Sequence, residues 1–102
     1  MSNRLFQGVI HQMRGAIDRT IGIIDETGAV ISCSELGRIG EIRSSAAAAV
    51  FMDAEVCVVD GCTYKAFGSQ IHQEYAVFVD GDDELAEKYV NISAVALNNL
   101  KL

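Results

Sequence analysis

Two arginines make the strongest chemical case in this sequence. Arg38 and Arg43 flank the predicted start of a helix, in a chain with eight Lys and Arg against fourteen Asp and Glu. A guanidinium beside the free amides of a helix N-terminus is a ready site for a carboxylate or similar anion, because donors and positive potential converge there. The hydroxyls of Ser34, Ser44 and Ser45 and the backbone near Gly40 and Glu41 can add hydrogen bonds. The predicted ligand-binding set is therefore Ser34, Arg38, Gly40, Glu41, Arg43, Ser44 and Ser45. The competing reading is a surface ion pair between Arg38 and Glu35 or Glu41.

No catalytic constellation can be assembled from a nucleophile, a base and an oxyanion donor, so no enzyme is predicted. His11 falls on the polar side of the first helix, and His72 sits in a loop with Gln70 and Gln73; both read as surface residues. Ser32, Ser34, Ser44 and Ser45 have no G-x-S-x-G context, and no G-x-x-x-x-G-K-[ST] phosphate loop is present. The acidic pairs Asp25-Glu26 and Asp82-Asp83 read as a turn and a helix start. Cys33, Cys57 and Cys62 are odd in number and lie in or beside apolar runs. The four residues between Cys57 and Cys62 match no zinc or redox spacing, so free thiols in a reducing compartment are expected, with no metal and no cofactor.

A formal charge of −6 argues against a grip on phosphates. If DNA is involved, another part of a longer protein is expected to touch it. With 102 residues, half of them hydrophobic, the chain is predicted to form one domain with its own core. It has no long apolar segment and no secretory leader pattern, so the expectation is a cytoplasmic location without membrane contact.

The elements that would hold these residues can be read in order. Leu5, Phe6, Val9, Ile10, Met13, Ala16 and Ile17 recur at helical spacing from Asn3 to Asp18, with Ser2 or Asn3 as caps. Gly8 and Gly15 mark either a close approach of another backbone or an exposed edge. Thr20–Ser34 reads as a β-hairpin turned at Asp25–Gly28, with Ile21 and Ile23 on one face, Ile31 and Cys33 sharing a face on the return strand, and Gly28 at positive φ. Ser34–Gly40 is a loop or short turn. A second helix is expected from Glu41, on the pattern Ile42, Ala46, Ala49 and Val50.

Glu55–Val59 and Cys62–Phe67 form a second hairpin about Asp60-Gly61, the dipeptide favoured in type I′ turns. That turn places Cys57, Val59, Cys62 and Tyr64 on one side and Thr63 and Lys65 on the other. Residues 68–73 follow as a loop. Glu74–Val79 alternates with no polar face and is predicted central, covered on both sides. The last helix starts at Gly81–Glu84, where carboxylates suit the helix dipole. It carries two apolar stripes, one of Leu85, Tyr89, Ile92 and Ala96 and one of Ala86, Val90, Ser93, Leu97 and Leu100, and reads as an interrupted helix at Leu102. The fold class is therefore α+β, a PAS/profilin-like antiparallel five-stranded sheet with helices in the order α-β-β-α-β-β-β-α.

The segment IIDETGAVISCS followed by Arg38-Ile39-Gly40 resembles the N-terminal sensor domain of PucR/CdaR-type bacterial transcriptional regulators, the sugar-diacid recognition domain. The likeness extends through Tyr75-Ala76-Val77-Phe78-Val79 and the helix after it. It departs at Arg43, where sugar-diacid regulators commonly carry His. The resemblance implies that residues 1–102 are a single sensory and dimerisation domain, the N-terminal fragment of a longer regulator. Such a domain binds a small anion such as a sugar acid or diacid and signals through its last helix to a downstream helix-turn-helix. The rival is a ligand-free homodimerisation or scaffold module of the roadblock type, with the same order of elements. An open pocket between the sheet and the second helix would favour the sensor; a helix-facing side of the sheet filled by Ile21, Ile23, Ile31 and Val77 would favour the scaffold. Either reading predicts a homodimer, here through Phe6, Val9, Met13, Leu97 and Leu100 of the first and last helices, where apolar residues outnumber what one sheet face can cover.

Overall fold

The computed structural model describes residues 2–52, 56–68 and 73–99. Three helices and five strands alternate as α1 (Ser2–Met13), β1 (Ile21–Asp25), β2 (Val30–Cys33), α2 (Ser44–Val50), β3 (Cys57–Val59), β4 (Cys62–Phe67), β5 (Tyr75–Asp80) and α3 (Glu84–Asn98), with a short 3-10 turn at Leu36–Arg38. The strands form one antiparallel sheet in the order β2-β1-β5-β4-β3. The α+β class and the five-stranded antiparallel sheet are as predicted. So is the central position of β5, where Ala76, Val77, Phe78 and Val79 are all fully buried.

Each face of the sheet has its own core. On one face α1 and α3 cover Ile21, Ile23, Phe67, Val77 and Val79 with Phe6, Ile10, Ala86, Val90 and Leu97. Phe6 meets the rings of Phe67 and Tyr75 edge-on, at 5.6 and 4.9 Å between centroids. On the other face α2 lays Ala46, Ala47 and Val50 over Ile24, Val30, Cys33, Tyr64, Ala66 and Phe78. The alanines act as spacers that let a two-turn helix lie close to the sheet.

The second hairpin follows its turn chemistry. Asp60 and Gly61 both take positive φ, 50° and 78°, and pair Val59 with Cys62 and Cys57 with Tyr64. Glu55, its expected first residue, lies outside the described residues, as do His72 and Leu100. The start of α3 is also as read: Asp83 caps it, accepting from the Ala86 amide at 3.2 Å.

Four expectations are corrected. The first helix ends at Met13 rather than Asp18, and the chain turns through 14–16 so that Ile17 can enter the core. Gly8 is a choice between two readings rather than a correction: the open space where a Cβ would stand selects the exposed edge. Ile31 and Cys33 do not share a face, because the register of β1 and β2 shifts between Ile23 and Ile24. That bulge sends Ile31 toward the α1 side and Cys33 into the α2 core.

The second helix begins at Ser44, not Glu41. The backbone of 40–43 is drawn alongside β2 instead: Gly40 donates to the Val30 carbonyl, Val30 to Glu41 and Arg43 to Gly28, at 2.8–2.9 Å. Ile42 is therefore bridged to Ala29 and left 63 % exposed. Finally, Phe6 and Leu97 lie in the α1/α3 core and offer no surface to a partner, while Val9 and Met13 are partly buried against it. The row of α3 that faces outward holds Leu85, Ile92 and Val95.

Candidate functional site

Arg38 and Arg43 do converge, and the backbone explains how. β2 leaves the sheet beside the start of β1, where Ser34 accepts from the Ile21 amide at 3.1 Å. The following 3-10 turn carries Arg38 to the end of β5, where Nη1 donates to Asp80 at 3.2 Å and Nε donates to Glu35 at 2.8 Å. Arg43 stands at the cap of α2 because the chain there packs on Gly28. A Cβ at Gly28 would lie 2.7 Å from the Arg43 carbonyl oxygen, and Gly28 itself has φ of 91°.

From that anchor the Arg43 side chain runs under α2. Its guanidinium lies 4.2 Å from the centre of the Phe78 ring, donates to the Tyr64 hydroxyl at 3.2 Å and donates to Glu41 at 3.1 Å. Burial opposes its charge, but the bonds to Tyr64 and Glu41 outweigh burial and hold the group protonated.

These two arginines and five residues of the second hairpin and β5 enclose an open cavity of about 500 Å³ lined by Arg38, Arg43, Asp60, Gly61, Cys62, Tyr64 and Asp80. The wall thus holds two arginines and two aspartates, of which Arg38 and Asp80 are paired. The Cys62 thiol donates to Asp80 at 3.3 Å, and burial together with that bond pushes it up to about 11. Burial also raises the Tyr64 phenol, against the pull of Arg43. Both groups are therefore neutral at physiological pH, and neither is a ready nucleophile. What the cavity offers is mixed: guanidinium donors, carboxylate acceptors and a phenol that can do either.

Of the predicted ligand set, only Arg38 and Arg43 line this cavity. Gly40 and Glu41 spend their amides within the chain, on the carbonyls of Val30 and Arg38. The Glu41 carboxylate pairs with Arg43, Ser34 is committed to Ile21, and Ser44 and Ser45 are exposed in the first turn of α2. The ion pair with Glu35 that competed with the ligand reading is present. Sequence reasoning missed Asp60, Cys62, Tyr64 and Asp80. Asp60 was legible only as a turn residue; the side shared by Cys62 and Tyr64 was legible, but not what faces it.

The acidic pairs serve as read: Asp25 accepts from Thr27 and Ala29 to close its turn, and Asp83 caps α3. His11 is exposed. Among the described residues no cluster of three or more His, Cys, Asp or Glu is placed to hold a metal, and no helix is long and apolar enough to cross a membrane. Comparison with family models, curated proteins and solved structures finds no match to this chain.

Proposed function

We propose that this chain is a sensory and dimerisation domain of a bacterial transcriptional regulator, with a PAS-like fold, which takes a small hydroxy acid in the Arg38–Arg43 cavity and presents α3 to a second copy. The observation that carries the ligand end is the placing of Arg38, Arg43, Asp60 and Asp80 around one open cavity. A simple dicarboxylate would meet both carboxylates. A sugar acid can give its carboxylate to the arginines and its hydroxyl protons to the aspartates. Glu35 and Glu41 must first swing aside, and their side chains are half exposed, at 56 % and 49 %. Exposed ion pairs of this kind are worth roughly 0–1 kcal/mol, so displacing them costs little.

The partner end is supported by α3. Ala86, Val90, Ser93 and Leu97 root it in the core, while Leu85, Ile92 and Val95 remain 42 %, 63 % and 63 % exposed on the other side. A second copy seated on that row would cover it. The net charge of −6 supports leaving DNA contact to a separate helix-turn-helix.

A second reading, the ligand-free scaffold module, is favoured by one fact: both sheet faces are filled, with Ile21, Ile23 and Val77 fully buried on the α1/α3 side. Calorimetric titration of a panel of hydroxy acids and diacids separates the two. The sensor reading expects heat from at least one hydroxy acid and a loss of about tenfold in affinity in Arg38→Ala, one charge-assisted bond's worth. Equal affinities in the two proteins would move the site elsewhere. No heat from any member, with sedimentation at twice the chain mass, would select the scaffold.

A further inference from the structure

We propose that Asp80 is a positioning residue that couples the occupancy of the cavity to the start of α3. The inference rests on the cavity being the sensing end of the domain, and it concerns how a change there would leave it. Asp80 is the last residue of β5, and its two polar ends face different structures. Its carboxylate accepts from Arg38 at 3.2 Å and from Cys62 at 3.3 Å, both in the cavity wall. Its carbonyl oxygen accepts from Arg19 Nη1 at 3.4 Å. Arg19 in turn grips Asp83 with two parallel bonds, Nη1 to Oδ1 at 2.5 Å and Nη2 to Oδ2 at 2.7 Å. Asp83 is the residue that caps α3. One guanidinium therefore touches both the strand end that lines the cavity and the cap of the outward-facing helix.

The junction between them is pinned closely. Gly81 donates to the Gly61 carbonyl at 2.8 Å, and its own carbonyl accepts from Thr63 Oγ1 at 2.8 Å. Its φ is 112°, and a Cβ there would lie 2.5 Å from Arg19 Nη1. A shift at Asp80 thus has no slack in which to dissipate before it reaches Arg19 and Asp83.

The direction of the effect follows from charge. An acid that takes Arg38 leaves the Asp80 carboxylate without its cationic partner. Arg43, the other guanidinium of the cavity wall, is held by Tyr64 and Glu41, whereas Arg19 already touches Asp80 through the carbonyl. Arg19 is drawn from Asp83 toward Asp80, the cap loses its charged partner, and the first turn of α3 loosens. Binding at the cavity would then be read at the base of the face that meets a second copy.

The test needs no ligand, since Arg38→Gln imposes on Asp80 the loss that a bound acid would cause. Amide hydrogen exchange at Ala86, whose N–H is held by Asp83, reports the cap. Arg38→Gln is expected to speed exchange at Ala86 by about threefold to tenfold, the range of a weakened cap, while Ile23 in β1 stays protected. Asp80→Asn in the same chain is expected to restore Ala86, because no carboxylate is left to draw on Arg19. In an Arg19→Gln background, Arg38→Gln is expected to add nothing. Glu35→Gln, which removes the other partner of Arg38 and leaves Asp80 paired, is the control and should leave Ala86 as it was. Unchanged exchange at Ala86 in Arg38→Gln would overturn the coupling, as would effects of Arg38→Gln and Arg19→Gln that multiply, or a failure of Asp80→Asn to restore protection. If Arg38→Gln loosens the whole fold, restoration by Asp80→Asn decides alone. These outcomes are independent of the calorimetry: coupling can be present though no acid binds, and an acid can bind though Ala86 is unmoved.

Discussion

Replacing Gly28 with Ala isolates the contact that places Arg43 in the cavity. Two costs apply. With φ at 91°, an L side chain at this position is strained by about 1–2 kcal/mol. The new Cβ would also sit 2.7 Å from the Arg43 carbonyl oxygen, 2.8 Å from its carbon and 3.1 Å from the Ser44 nitrogen. These are backbone atoms held by the Arg43 N–H bond to Gly28 and cannot rotate away. Forcing them apart adds roughly 1–3 kcal/mol, as for an overpacked core.

Gly40 supplies the internal control. Its φ is 99°, yet nothing lies within 4 Å of the Cβ it would gain, so Gly40→Ala should carry the strain alone. The expected losses are about 2–5 kcal/mol for Gly28→Ala and about 1–2 kcal/mol for Gly40→Ala, against a total of roughly 5–15 kcal/mol for a domain of this kind. Urea unfolding followed by circular dichroism measures both. With a slope of about 1–3 kcal/mol per molar urea, the two midpoints should differ by roughly 1 M at unchanged slope. Equal midpoint losses would refute the close approach, and with it the account of how Arg43 is positioned.

The Arg19–Asp83 pair has a defined pH signature. The hydrogen bond from Arg19 holds the Asp83 carboxyl well below its ordinary 3.8, so the stability it contributes is present above that value and is lost as pH falls through the lower folded-state value. Asp83→Asn keeps a cap but loses the pair, so it should be less stable than the parent at pH 6 and converge with it in acid; parallel curves down to the lowest pH would contradict this. For Cys62, burial raises the thiol from 9.0 to about 11, so the protonated fold is favoured below 9.0 and that advantage is lost as pH rises toward 11. Two pKa units reduce the thiolate fraction about a hundredfold, so iodoacetamide at pH 8 should label Cys62 far more slowly in the folded protein than in urea, with peptide mapping to separate it from Cys33 and Cys57.

Local rules made much of this fold legible. Asp60-Gly61 announces a tight hairpin because both residues tolerate positive φ, and the pairing of Cys57 with Tyr64 follows from counting outward. β5 reads as central because no position in it is polar until Asp80, and the acidic cluster before Leu85 reads as a helix start because its side chains satisfy amides only a few residues away. The two stripes on α3 are likewise visible in the sequence as an excess of apolar positions over what one docking face needs.

Which stripe faces inward was not legible, because each alone would serve. The sheet settles it by burying Leu97 and leaving Ile92 out. The bulge that separates Ile31 from Cys33 and the late start of α2 have the same origin: segments 40–43 and 28–30 satisfy one another across the edge of β2, against the local preference for helix. The cavity is the furthest from local rules. The charge of Arg38 and Arg43 marks them in the sequence, but Asp80 lies 42 residues beyond Arg38. They meet only because β5 inserts between β1 and β4, so that the chain leaving β2 crosses onto its end. Side-chain type and spacing determine the elements and the turns; strand order, set by how both faces of one sheet are covered at once, decides which charges share a wall.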